Sequence, residues 1–329
     1  MAGRVDAAGV VLAGGRSSRM GTPKACLEWH GSTLLYRTAA LLMRTVTGPV
    51  VVVVGADGGG TWELPPLPPG VVIARDPAPG LGPLQGIAAG LAAVRAATAA
   101  SGAADGGAAA GGAAAGGAAA GDAAAGDAAA GDAAGGDAAG GDAADAAGGD
   151  AAGWADGGGA GSAGRAFVCA TDMPFLHPAF VRAVLGALDG DVALPVARGH
   201  RQPLAAAYRV GLAPSVAALL DAGGRTPGEL FARSRVTVLD DAALRADPAV
   251  ARLDPQLESL TNVNTPAEYA AARARPPAPV VVERTGVRRT VRAATLAEAG
   301  PGSAALLNGE PVAPDPLLPL VAGDTLVLR

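Results

Sequence analysis

Residues 12–24, LAGGRSSRMGTPK, end an apolar run on the pair Gly14-Gly15 and then place Arg16, Arg19 and Lys24 within the next ten positions. Glycines leave backbone N–H groups open to an anion, and the three cations neutralise its charge. Pro23 stiffens the approach of Lys24. Two common phosphate loops do not fit. A dinucleotide fingerprint needs G-x-G-x-x-G, whereas Gly14 and Gly15 are adjacent; a Walker A loop needs Lys directly after its last Gly, whereas Thr22 and Pro23 separate Gly21 from Lys24. The complementary group is Asp172 in ATDMPFL (170–176), at the end of another apolar run. Attack of one phosphate on the phosphorus of another needs no covalent intermediate. It needs two anions brought together and charge neutralised on the departing group. Mg²⁺ prefers one or two carboxylates plus phosphate oxygens and water, so a lone Asp172 suffices as its protein ligand. The competing reading of Asp172 is a cap on the helix that follows.

The elements that must position these groups are short apolar runs at 9–14, 49–55, 71–76, 165–172 and 191–197. They lack period-two alternation, as expected of strands buried on both faces of a parallel sheet. Helical patterns lie between them at 32–46, 84–100 and 177–189. Alternating strand and helix predict a three-layer α/β domain with a mainly parallel sheet, whose ligands sit outside the carboxyl ends of the strands.

Composition narrows the partners. The chain has 329 residues and a formal net charge of −5, but the segment from Asp105 to Asp156 holds nine acidic residues and no basic one. Without it the balance becomes +4, which suits an anionic small molecule and falls short of the basic stripe of a nucleic-acid binder. Cys26 and Cys169 form no framework, which predicts a reduced, cytoplasmic protein. Three scattered histidines give no basis for a His-based metal site. The first residues lack the pattern of a secretory leader, and no apolar stretch is long enough for a bilayer, so no membrane association is expected.

Two composition shifts divide the chain. Residues 102–163 repeat AAAGG, AAAGD and AAGGD with a period near five, which matches no helix, and are expected to form a disordered, acidic insertion at a surface crossover. The Pro-rich stretch near 272–282 reads as a linker, giving a domain at 1–275 and a small unit at 276–329. About 50 residues are marginal for independent folding, so this unit is expected to dock on the main domain or on a partner.

LAGGRSSRMGTPK resembles the signature of the molybdenum cofactor guanylyltransferase family, within the nucleotidyltransferases of Rossmann-like fold. Four more segments agree in order: RDPAPGLGPLQGI (75–87), ATDMPFL, HRQPLAAAY (200–208) and LTNVNTPAEY (260–269). The resemblance implies Mg²⁺-dependent transfer of GMP from GTP to the molybdenum cofactor (molybdopterin), giving the guanine dinucleotide form and pyrophosphate. It places Leu12, Ala13, Gly14 and Gly15 along the nucleotide and Lys24 on the triphosphate. Arg19 falls on the leaving phosphates, Asp76 at a nucleotide contact, and Asp172 at the metal and nucleotide. It also leaves open CTP as the donor, another phosphorylated acceptor, or an adaptor that passes cofactor to molybdoenzymes.

Several positions keep two readings. Asp76, before Pro77, is a nucleotide contact or a turn former. In NVNTP, which holds Asn262 and Asn264, the resemblance to related nucleotidyltransferases implies a second metal ligand, a role open to Asn264, or Asn264 or Thr265 caps a helix with Pro266 at its first position. Arg201 meets the pterin phosphate or pairs with a surface carboxylate. Gly55 stands where family members often carry Asn, so any nucleotide contact there is through backbone. NGEPV (308–312) and PLVAGDTLVL (319–328) resemble a β-grasp fragment of the sulfur-carrier type. Those carriers end in Gly-Gly, whereas this sequence reads Val327-Leu328-Arg329, so their carboxylate chemistry is not expected and docking is.

Overall fold

The computed structural model describes residues 3–14, 20–55, 63–77, 81–107, 164–300 and 304–328. The expected insertion therefore lies outside the described residues from 108 to 163, as do Gly15, Arg16 and Arg19.

The sheet that carries the site contains β1 (Ala8–Leu12), β2 (Val50–Gly55), β3 (Val72–Asp76), β4 (Arg165–Ala170), β5 (Val192–Ala197), β6 (Ala205–Arg209) and β7 (Val236–Asp240). Their order is β7-β5-β6-β4-β1-β2-β3, with the short strand His200–Arg201 on β5. All pairings along this order are parallel except those of β6, which runs antiparallel to both neighbours. Hence β1 to β5 and β7 all end at one edge. The valine run of β2 and the apolar residues of β1 and β4 are buried on both faces, as a central parallel strand requires. β3 departs from that expectation. It is an edge strand whose burial alternates, with Ile73 half exposed.

Three helices cover the strands nearest the site: α1 (Leu34–Met43), α2 (Pro83–Gly107) and α3 (Pro178–Gly186). Side chains alternate across β1, so Val11 and Ala13 join Leu35, Phe167 and Phe180 on one face, while Val10 and Leu12 join Leu84, Ile87 and Leu91 on the other. α2 can approach β1 because residue 90 is glycine; a Cβ there would lie 2.4 Å from Cγ1 of Val10. α2 also continues to Gly107, past the expected end near residue 100, so the first turns of the low-complexity tract are helical. Alanine favours the helix enough to carry it into the tract. Thr33 begins α1 by accepting a hydrogen bond from the Tyr36 N–H at 3.1 Å, which moves the helix start two residues inside the expected range.

The C-terminal residues form a second sheet of five strands: Pro279–Arg284, Val287–Arg292, Ala304–Leu307, Glu310–Pro311 and Thr325–Leu328. In chain order these lie second-first-fifth-third-fourth across the sheet, with the first and last strands parallel. That is the strand order of a β-grasp unit, with its helix reduced to the turn Leu296–Ala299. It has its own core of Val280, Val282, Leu296, Leu307, Leu320, Leu326 and Leu328. The unit docks on α1. Arg44 at the end of α1 donates to both carboxylate oxygens of Asp324 and to the Pro319 carbonyl, and the Tyr36 hydroxyl donates to Asp315 at 2.8 Å. His177, just before α3, adds a ring contact to the Ala322 carbonyl at 3.0 Å.

Candidate functional site

β1 and β4 pair in register from Ala8 with Ala166 to Leu12 with Ala170, so the segments that follow them leave the sheet side by side. β4 stops at Ala170, and Asp172 sits in the turn beyond it rather than in the strand. Both the N–H and the hydroxyl of Thr171 donate to the Leu12 carbonyl, at 3.3 and 3.0 Å, binding the turn to the end of β1. The Val263 N–H donates to the backbone carbonyl of Asp172 at 3.0 Å, which draws in the segment carrying Asn264. Asp172 does not cap the next helix. His177 does, its Nδ1 accepting from the Ala179 N–H, so the capping alternative for Asp172 falls away.

Lys24 opens a single 3₁₀ turn, Lys24–Cys26, entered through Gly21 in the left-handed region (φ +66°) and Pro23. Its ammonium donates to Oδ2 of Asp172 and to Oδ1 of Asn264, each at 2.6 Å. One cation thus joins three parts of the chain 148 and 240 residues apart in sequence. Asp172 is almost fully buried, and its other carboxylate oxygen, Oδ1, has no hydrogen-bond partner among the described residues.

The two readings of NVNTP separate here. Thr265 caps the helix Pro266–Arg273 with a complete capping box: its hydroxyl accepts from the Glu268 N–H, and the Glu268 carboxylate accepts from the Thr265 and Asn264 N–H groups. The Asn264 N–H, then that of Thr265, holds the Glu268 carboxyl below the usual range. With that work done by Thr265 and Glu268, the Asn264 amide oxygen faces Lys24. Asn262 is exposed.

The remaining predicted positions flank this centre on the same sheet edge. Asp76 ends β3 opposite Gly55 in the register, three strands from β4, or roughly 14 Å at ordinary strand spacing. Gly14 lies against Gly55, where a Cβ would sit 3.7 Å from the Gly55 nitrogen. Arg201 is exposed on the opposite flank, paired with Val196 near the end of β5. Leu12 and Ala13 are buried: the Leu12 side chain packs under α2, its carbonyl is taken by Thr171, and the Ala13 N–H donates to Val53. They shape the floor of the edge. Among the described residues no cluster of three or more His, Cys, Asp or Glu is arranged to hold a metal ion. The oxygen pair of Asp172 and Asn264 is the donor set available near Lys24.

Arg37 is a site neighbour that sequence reading passed over. It is the only charged residue in the apolar run Leu34–Leu42 of α1, it is buried, and its Nε donates to the carbonyl of Pro174, two residues after Asp172. A charge inside an apolar helical stretch was the signal that could have found it.

Residues 9–237 match the model of a family described as the MobA-like NTP transferase domain. A probable molybdenum cofactor guanylyltransferase of Mycobacterium bovis is 32% identical over 274 residues, covering 80% of this chain and 91% of that protein. A molybdenum cofactor guanylyltransferase of Xanthomonas euvesicatoria is 46% identical over 90 residues, and the match spans 41% of that protein's length. Among solved structures, a molybdopterin-guanine dinucleotide biosynthesis protein A from Archaeoglobus fulgidus aligns over 81% of this chain and 96% of its own, at 18% identity and a TM-score of 0.47. Among the described residues no helix is long and apolar enough to cross a membrane.

Proposed function

The chain belongs to the MobA-like NTP transferase domain family, and we propose that it transfers GMP from GTP to molybdenum cofactor, forming molybdopterin guanine dinucleotide and pyrophosphate. The names of the matched relatives support the choice of substrates. The observation that carries the chemistry is the contact of Lys24 with Asp172 and Asn264 at the carboxyl end of β1 and β4.

In the reaction the terminal phosphate oxygen of the pterin attacks the α-phosphorus of GTP. The bond from that phosphorus to the β-phosphate bridging oxygen breaks, and pyrophosphate leaves with the electron pair. The protein's task is to hold two polyanions together and to neutralise the leaving group. Lys24 is suited to the phosphates: an ammonium that is already desolvated on one side by Asp172 exchanges a carboxylate contact for a phosphate one with little reorganisation. Gly14 lies at the same edge, and the sequence after it supplies a further glycine and the cations Arg16 and Arg19. Asp76 and Arg201 flank it on the nucleotide and acceptor sides.

The donor set fits Mg²⁺. A buried carboxylate oxygen without a partner among the described residues, beside a second hard oxygen on Asn264, is the arrangement a hard divalent cation satisfies, and Lys24 already places one positive charge against both residues. Asp172 and Asn264 would hold it. When bound, the ion would supply charge neutralisation for the phosphate oxygens. Asp172 and Asn264 orient through backbone anchors that do not depend on it, the Thr171–Leu12 and Val263–Asp172 hydrogen bonds and the capping box.

The test is to incubate the full chain with Mg²⁺, molybdenum cofactor and each of GTP, CTP, ATP and UTP in turn, and to measure pyrophosphate and the dinucleotide product. Turnover with GTP alone is the expected result. Turnover with CTP alone overturns the donor assignment, and no turnover with any nucleotide leaves the chain a cofactor-binding adaptor for molybdoenzymes.

A further inference from the structure

Through its backbone and Thr171, the turn that bears Asp172 is tied to three neighbouring segments. Thr171 donates to Leu12 on one side, Val263 donates to the Asp172 backbone carbonyl, and Arg37 donates to the Pro174 carbonyl at 3.0 Å on the other side. Besides Lys24 on the Asp172 carboxylate, it is Arg37 that brings a charged side chain to this turn, and that charge lies inside the protein. The carbonyl it meets is neutral, so the cost of burying the guanidinium is not offset at Pro174. The offset comes from elsewhere. The carboxylates of Asp324 and Glu298, both in the C-terminal unit, act on Arg37 in the stabilising direction, against burial and the neighbouring charge of Arg44. Those opposing influences bring Arg37 down to about 10, so it still carries its proton at neutral pH.

The same helix connects the two ends of this arrangement. Positions 37 and 44 are two turns apart on one face of α1. Arg44 is bound by Asp324, Tyr36 by Asp315, and Arg37 by the Pro174 carbonyl in the Asp172 turn. We infer that Arg37 is a positioning residue for Asp172, and that the C-terminal unit takes part in the reaction by holding α1, through Arg44 and Tyr36, where Arg37 meets the Pro174 carbonyl. The kinetic half of this inference rests on the transferase reading above; the structural half does not. The unit is thus a brace for the carboxylate, which gives a reason for its docking on α1 rather than elsewhere.

Two measurements test it. In the unliganded full chain, amide exchange at Val263 reports the turn directly, because its N–H is bound to Asp172. Arg37→Met is expected to speed that exchange about tenfold, the loss of one charge-assisted hydrogen bond, with global protection of β1 and β4 retained. Asp324→Asn, which keeps the shape and removes the charge, is expected to speed it about threefold, and it stands in if Arg37→Met does not fold. Unchanged exchange at Val263 in the folded variants overturns the inference. In turnover, Arg37→Met is expected to lower kcat about tenfold with KM for GTP within about twofold, and Arg37→Lys to recover most of kcat because an ammonium can donate to the same carbonyl. A rise in KM at constant kcat, or a lysine variant as poor as the methionine one, overturns it. A wild-type protein that makes no dinucleotide sinks the transferase reading alone, and the exchange result still decides the role of Arg37.

Discussion

Asp172 and Asp324 are each buried against a cation from the first fifty residues, Lys24 in one case and Arg44 in the other. At Asp324 every lone-pair direction is answered. Oδ1 accepts from Arg44 and from Asn308 at 2.8 Å, and Oδ2 accepts from Arg44 and from the Val321 N–H, both at 2.9 Å. At Asp172 only Oδ2 is shown with a partner, and that partner is a lysine, whose single ammonium on a flexible stem is easily redirected. A planar guanidinium locked on both oxygens makes a joint. An ammonium on one oxygen, with the other oxygen buried and unpartnered among the described residues, makes a place for something else. Leaving such an oxygen unpaired costs about 1–3 kcal/mol, a cost that a ligand present during function removes.

The contrast breaks if the two carboxylates respond alike to removal. Asp172→Ala is expected to reduce dinucleotide formation by about 10³-fold or more, the worth of several kcal/mol of charge stabilisation, while its urea midpoint changes little or rises. Asp324→Ala is expected to do the reverse in kind: it strands Arg44 and lowers unfolding free energy by about 3 kcal/mol, read from urea denaturation. Lys24→Ala sharpens the account at the site, with a loss of about 30-fold in kcat/KM for the nucleotide, near 2 kcal/mol for a charge-assisted phosphate contact, and no comparable loss of stability. The smallest effect concerns pH. His177 joins the cap of α3 to the Ala322 carbonyl through a neutral ring, and burial holds it below the ordinary 6.5. The unfolded chain then binds the proton more readily than the folded one, so the contribution of His177 is complete above about pH 6.5 and declines as pH falls toward its folded value. Unfolding midpoints between pH 7.5 and 5 should therefore drop in the wild type, and the part due to this residue should vanish in His177→Asn.

Much of the site was written locally and could be read locally. The glycines, Pro23 and Lys24 announce an anion loop because each acts through its own backbone or charge, and Asp172 follows a strand whose residues from Ala166 to Ala170 are visible as an apolar run. Asn264 was half legible. Both Asn264 and Thr265 are good helix caps, and only the capping box with Glu268 shows that Thr265 takes the role and frees Asn264. β6 was missed because three of its five residues are alanine, in a pattern with weak strand preference, and what makes it a strand is the slot between β4 and β5. β7 alternates Val, Thr, Val and Leu over five residues, a signal too short to stand out from its surroundings. Arg37 carried a signal, a lone charge in the apolar run of α1, but its partner Pro174 lies far away in sequence. Asp324 was illegible for a further reason: an aspartate in a glycine turn is an ordinary surface residue until tertiary packing buries it, and its partner Arg44 lies far away in sequence.

The distinction between an open and a closed carboxylate is tested most directly by Mn²⁺ binding to the GTP-loaded full chain, followed by electron paramagnetic resonance, in the wild type, Asp172→Asn and Asp324→Asn. The account predicts that Asp172→Asn weakens Mn²⁺ binding by about 100-fold while Asp324→Asn stays within about threefold. Equal binding by the wild type and Asp172→Asn would contradict it.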